Sequence, residues 1–186
     1  MVVIEIQTKD LIPHLEHVLL DIKNGVPRVL APAINRSLSA GKTSVKREIR
    51  KTYAIKAKDI PATVHNATRA SLEGKLVIQQ GMIDLNKFPF RPRQPNTGRM
   101  LNVEVKRGKR RDIPHGFVQR MPNSGYLGPF IRKGKARLPI RKLTTISAAI
   151  MAAQPSVVPV VEMVMTDTLD KRLDHELERV LASAGK

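Results

Sequence analysis

The chain has no cysteine and no tryptophan, and aromatic residues make up only 3% of its 186 positions. Without cysteine there is no disulfide, no thiolate ligand and no thiol nucleophile, which suits folding in a reducing compartment. Few aromatics leave little of the stacking surface on which single-strand binders usually lay bases. Long apolar runs are also missing. The longest, residues 157–165, is broken by Pro159 and Glu162 and is less than half of the roughly 20 residues a spanning helix needs. Glu5 and Asp10 stand beside the short apolar run at the start, so it does not read as a secretory signal. No Gly-x-Ser-x-Gly, P-loop or dinucleotide fingerprint occurs. Gly41-Lys42-Thr43 repeats only the end of a P-loop, inside a helical pattern.

Acids are the last scarcity. Sixteen Asp and Glu face 33 Lys and Arg, a net charge of +17 with a pI near 10.7. Such an excess implies an anionic partner, and nucleic acid, a membrane surface or an acidic protein would all satisfy it. A binding or assembly protein, rather than an enzyme, is therefore the expectation, with no metal and no cofactor.

At this length one domain is expected. The pattern predicts an α+β chain: residues 1–62 mainly helical, 70–142 β-rich and basic, and 143–186 helical. Residues 1–7 read as a strand. Thr8 is the expected cap of a helix to about Lys23, with Leu11, Leu15, Val18, Leu19 and Ile22 at helical spacing. A longer helix spans about 27–53, with Val26, Leu30, Ile34, Leu38, Val45 and Ile49 on one stripe and most of its cations off it. Pro32 should kink this helix or mark its start, and Gly41 should weaken it by about 1 kcal/mol relative to alanine. A short helical turn is expected at Lys58–Pro61 and a strand over 71–80. Residues 82–100, with Pro89, Pro92, Pro95 and Gly98, read as an extended loop that leaves Phe88 and Phe90 exposed. Residues 101–107 alternate as a half-buried strand, and 116–121 with 126–132 form a hairpin around Pro122–Gly125. A short helix over 145–153 precedes a long one capped by Ser156. Val161, Met165, Leu169, Leu173, Leu177 and Leu181 form its core stripe, and Asp167–Lys171 and Arg172–Glu176 are its expected surface pairs. Together these give N-terminal helices and a long C-terminal helix packed on a small, mostly antiparallel sheet, with long extended loops.

The densest charge runs from Lys106 to Lys142, with Asp112 its only acid. Crowded like charges repel, so something outside the monomer should offset them, either acidic protein surfaces or phosphates. The plain alternative is a solubility device in two loops. Asp84 with Glu104-x-Lys106 resembles the metal-binding core of a nuclease superfamily. However, Asp84 falls in a loop-like stretch with no Pro-Asp before it, which argues against that reading. His14 and His17 share a helix face but have no third ligand near in sequence, so they read as surface histidines.

One stretch carries a family likeness. Residues 116–143, GFVQRMPNSGYLGPFIRKGKARLPIRKL, join a hairpin to Arg132-Lys-Gly-Lys-Ala-Arg-Leu-Pro-Ile140. This resembles the minor tail protein Z family, the tail completion proteins of long-tailed, non-contractile phages and prophages. Upstream, Ala33-Ile-Asn-Arg-Ser-Leu38 and Tyr53-x-Ile-Lys-x-Lys-Asp-Ile60 resemble further landmarks of that family, so the likeness covers Ala33 to Leu143 and the ends only in outline. It implies a virion protein at the head-proximal end of the tail, present in the host cytoplasm before assembly. It also implies no catalysis, and, by analogy with a sixfold tail tube, a ring of copies. The implied partners are other copies, the tail tube, the tail terminator and the head–tail connector, with nonspecific contact to phage DNA and no membrane. The expected assembly contacts are Phe88, Phe90, Arg132, Lys133, Lys135, Arg137 and Arg141. Gly134 is read as a bend, Pro139 as a fixed direction, and Leu138 and Ile140 as core anchors of the segment. The competing class is a basic nucleic-acid-binding protein; a metal nuclease is the remote third.

Overall fold

A computed structural model describes residues 1–6, 12–20, 22–95 and 97–184. Thr8 and Leu11, the expected cap and first stripe residue of the first helix, lie outside them. In chain order the elements are β1 (Val2–Glu5), α1 (Ile12–Val18), α2 (Gly25–Thr52), β2 (Ala62–His65), β3 (Lys75–Ile78), β4 (Met82–Asp84) and β5 (Phe90–Arg91). There follow β6 (Leu101–Lys106), β7 (Lys109–Ile113), β8 (Gly116–Arg120), β9 (Leu127–Arg132), β10 (Ile140–Lys142), β11 (Thr144–Ser147), α3 (Ala148–Ala152) and α4 (Val158–Ala184). Single 3-10 turns occupy Ala57–Asp59 and Leu85–Lys87. The class is α+β, but the β structure is four small antiparallel sheets rather than one.

The chain divides into two compact units. The first comprises Met1–Lys46, Ala62–Gln79 and Ala152–Lys186. Its sheet has the order β1-β3-β2, with Leu76 and Ile78 of the central strand fully buried. In α2, Leu30, Ile34, Leu38 and Val45 are buried, so the predicted stripe is the core face. The helix begins at Gly25, and Pro32 therefore lies inside it. A second buried row carries Ala33, Ser37, Gly41 and Ser44, and these small side chains let α4 come close. Met165 sits over Gly41, and Ser37 Oγ donates to its carbonyl at 2.5 Å.

In α4, Val161, Met165, Leu169 and Val180 are buried. Leu173 and Leu177, expected in the core, are half-buried, and Leu181 is exposed. The buried line thus shifts along the helix, ending on Val180 rather than on Leu181. The expected surface pairs do not form either: Glu176 takes Arg179 at 2.6 Å, three residues on.

The second unit comprises Arg47–Pro61 and Gln80–Met151. Sheet β5-β6-β7 and sheet β10-β9-β8 build most of it, with β4 and β11 as a further pair. The turn of α2 into this unit is tied to β6. Ala54 N donates to Val105 O and Arg107 N to Thr52 O, each at 2.9 Å, while Arg107 Nε reaches Arg50 O at 2.5 Å. Arg107, from the densest basic run, thus satisfies a carbonyl at the helix C-terminus.

Residues 82–91 correct the expectation of an extended loop. Pro89 lacks an N–H but keeps its carbonyl, which accepts from Glu104 N at 2.9 Å. β5 pairs Phe90 with Val103. Phe88 and Phe90 are therefore core residues, 3% and 5% exposed. Within the expected loop, the described residues at 92–95 and 97–100 do run without regular structure. Strand β7 is absent from the sequence reading because all but one of its residues are exposed and no alternation marks it. Gly108, at φ 70°, makes the turn that folds β7 back on β6, as Gly125, at φ 63°, does for the predicted β8–β9 hairpin. Residues 144–147 form a strand before α3, where a helix was expected from 145.

Candidate functional site

The basic residues of the second unit fall into two groups. Some are used by the fold. Across β6 and β7, Arg110 Nη2 lies 3.1 Å from Glu104 Oε2, and Gly108 N donates to Glu104 Oε1 at 3.0 Å. Asn102 Nδ2 donates to Asp112 Oδ1 at 2.7 Å. Lys142 Nζ lies 3.2 Å from Asp84 Oδ2 and 5.1 Å from the centre of the Tyr126 ring. Burial pushes the Tyr126 phenol up to about 12, with the Asp84 carboxylate adding to the shift, so this hydroxyl stays protonated at neutral pH.

These pairings account for the carboxylates of the nuclease-like trio. Asp84 stands at the end of β4, not in a loop, with its carboxylate on Lys142; Glu104 holds the β6–β7 turn. Among the described residues no three His, Asp or Glu side chains are placed to hold a metal ion. His14 and His17 are both exposed on α1.

The second group is held ready on the surface. After β9 the chain leaves as an exposed loop and returns in β10, with Ile140 opposite Arg132. Lys133 N donates to Pro139 O at 3.0 Å and closes the base of this loop. Residues 132–139 are all exposed. The Leu138–Pro139 peptide is cis, and Leu138 is 67% exposed, so it does not anchor the segment to the core; Ile140 is half-buried. Gly134 has no left-handed φ and faces open space. Among the described residues Lys133, Lys135, Arg137 and Arg141 form no ion pair. Arg132 differs, because its guanidinium lies 5.0 Å from the centre of the Phe117 ring. Stacking holds the side chain in place and leaves its N–H edge free for a carboxylate or phosphate.

Beside the loop an open groove of about 930 Å³ runs between Pro92, Gln94 and residues 97–100 on one side and the start of β8 and the loop itself on the other. Arg99, Arg132 and Arg137 line it with Met100, Phe117, Leu138 and His115, and no acid does. Met100 is 61% exposed. Of the seven expected assembly contacts, the structure brings Arg132 and Arg137 into this groove. Lys133, Lys135 and Arg141 lie outside it on the surface, and Phe88 and Phe90 are withdrawn into the core. Arg99, Met100, His115 and Phe117 are additions that sequence reasoning missed. Two stand in the stretch read as an extended loop, and no local pattern joins them to residues 132–140.

The charge itself is segregated. The second unit carries 21 of the 33 basic residues but only 5 of the 16 acids, so +16 of the net +17 resides there. The arrangement can bind an anionic surface that also presents apolar side chains. No protein-family model, curated protein or solved structure matches this chain.

Proposed function

We propose that this chain is a non-catalytic structural protein of a phage tail, which completes the head-proximal end so that the tail can join the head. The observation that carries the reading is the state of the family-like segment Arg132–Ile140. It forms one exposed loop, closed at its base, whose cations pair with no acid among the described residues and whose Leu138 faces solvent. A free monomer gains nothing from that arrangement, whereas a docking element does. The proposed assembly is a ring of copies, six in register with a sixfold tail, set between the tail tube, its terminator and the connector. Its place is the virion, after a soluble stage in the host cytoplasm.

The test is imaging of assembled particles with this chain located by density, together with the yield of infectious particles from Arg132→Glu/Arg137→Glu. Density at the head-proximal end and a collapse in yield with a folded variant are expected. Density elsewhere, or an unchanged yield, overturns the reading.

A second reading has its own support. The charge segregated into one unit suits a basic nucleic-acid-binding protein, in which phosphates supply the missing anions. Its distinguishing property is a DNA affinity that the groove residues Met100 and Leu138 do not influence.

A further inference from the structure

The outer face of α4 presents a second surface without a partner. Met163, Asp167, Asp170, Asp174, Glu178 and Leu181 follow one another at spacings of four, three, four, four and three, which places them in one line along the helix. All six are exposed, Met163 at 65% and Leu181 at 42%. Among the described residues none of the four acids forms an ion pair; Glu176, off this line, takes Arg179 instead. The line runs for about 27 Å, acidic in the middle with an apolar side chain at each end.

The groove of the basic unit is its chemical counterpart. Arg99, Arg132 and Arg137 line it with the exposed Met100 and Leu138, and no acid is present. We propose that the acidic stripe of α4 in one copy of the chain docks in the Arg99–Arg132–Arg137 groove of another copy. Carboxylates would meet guanidinium edges, bidentate where the geometry allows. Met163 and Leu181 would cover apolar surface that water now covers on both partners.

The exposed aliphatic side chains decide between partner classes. A phosphate backbone pairs with the arginines but leaves Met100 and Leu138 in water, whereas an amphipathic acidic helix satisfies both. The same chain supplies such a helix in equal number to the grooves. Since groove and stripe are different patches, the contact is head-to-tail, and repetition closes a ring or grows a filament. The inference rests on the proposed function only in treating the groove as a docking site.

Sedimentation of the purified full chain across a concentration series tests it, with circular dichroism and melting to verify the fold of each variant. The wild type should gain mass with concentration, and the gain should shrink as salt screens the pairs. Arg132→Glu/Arg137→Glu and Asp170→Arg/Asp174→Arg should each weaken association by at least about tenfold. Mixing the two should restore association in alternating copies, because the intact stripe meets the intact groove and the reversed stripe meets the reversed groove. The variant with all four changes should associate again.

A wild type that stays monomeric at every concentration overturns the proposal. So does association that survives either reversal in a folded variant, or a four-fold variant that stays monomeric. Duplex DNA added to the wild type is the remaining arm: filling of the groove by DNA with no self-association gives the site to nucleic acid. Particle yield separates this from the tail reading. Variants that lose association yet complete tails normally sink the tail role alone; variants that associate normally yet fail to complete tails sink this inference alone.

Discussion

At Gly41 a β-carbon would lie 2.5 Å from Met165 Sδ and 2.6 Å from its Cγ. Helix propensity alone favours alanine there by about 1 kcal/mol. Overpacking a tight contact costs about 1–3 kcal/mol, so Gly41→Ala should lower stability despite the better helix former. Urea denaturation decides it, and a stabilised variant would mean that Met165 yields freely. Glu48 poses a different case. Its carboxylate is nearly buried, 2.6 Å from Lys51 Nζ and 3.2 Å from Arg47 Nε. The hydrogen bond from Lys51 holds its carboxyl below the ordinary range against the opposing effect of burial, and Arg47 adds to the lowering. A carboxyl lowered by folding stabilises the fold above its unfolded pKa, about 4.3, and the gain is lost as pH falls through the folded value. Glu48→Gln should therefore cost about 1 kcal/mol at neutral pH, and its deficit should narrow below about pH 4. A deficit constant across that range would show that the ion pairs contribute nothing. Phe90 belongs to the core rather than to an assembly surface. Phe90→Ala should lower the stability of the isolated chain by about 3–5 kcal/mol, read by denaturation of the monomer.

Along the expected leucine stripe of α4 burial falls beyond Leu169, and mutational cost at those leucines should fall with it. Leu169 is buried, Leu173 half-buried and Asp174 exposed. Leu169→Ala should cost about 2–4 kcal/mol, Leu173→Ala about half as much, and Asp174→Ala within about 0.5 kcal/mol of zero. Equal costs at 169 and 173 would mean that the helix is covered along its whole length. Elements with a periodic apolar face were legible in the sequence: β1, α2, β6, the β8–β9 hairpin and α4. Strand β7 was not, since Lys109-Arg-Arg-Asp-Ile113 is an edge strand held by its ladder to β6 rather than by burial. Its exposed cations also discourage pairing with the edge of another sheet. Strands β4 and β5 are only three and two residues long, and Pro89 and Pro92 on either side of β5 hid its ladder to β6, although the Pro89 carbonyl still accepts.

For the molecule as a whole, the asymmetry of charge is the dominant electrostatic fact. With +16 in one unit, the chain should bind DNA nonspecifically at low salt through counterion release. Affinity should fall by powers of ten between about 50 and 200 mM salt if several phosphates are contacted. Filter binding or anisotropy over a salt series measures the slope. A sequence preference that survives about 200 mM salt would favour the nucleic-acid reading over assembly.

The class of the fold, the course of its two long helices and the strongly basic middle followed from the sequence alone, because periodicity, turn chemistry and composition are local properties. Which cations were left free was a tertiary matter. Arg107, Arg110 and Lys142 look no different in sequence from Arg132 and Arg137, yet the first three meet a helix end, Glu104 and Asp84. The groove likewise unites Arg99 and Met100 with Arg132, Arg137 and Leu138, more than 30 residues away. Phe88 and Phe90 went the other way, from expected surface to core: Phe90 pairs with Val103 of β6, and a pairing between separate strands leaves no local trace in the sequence.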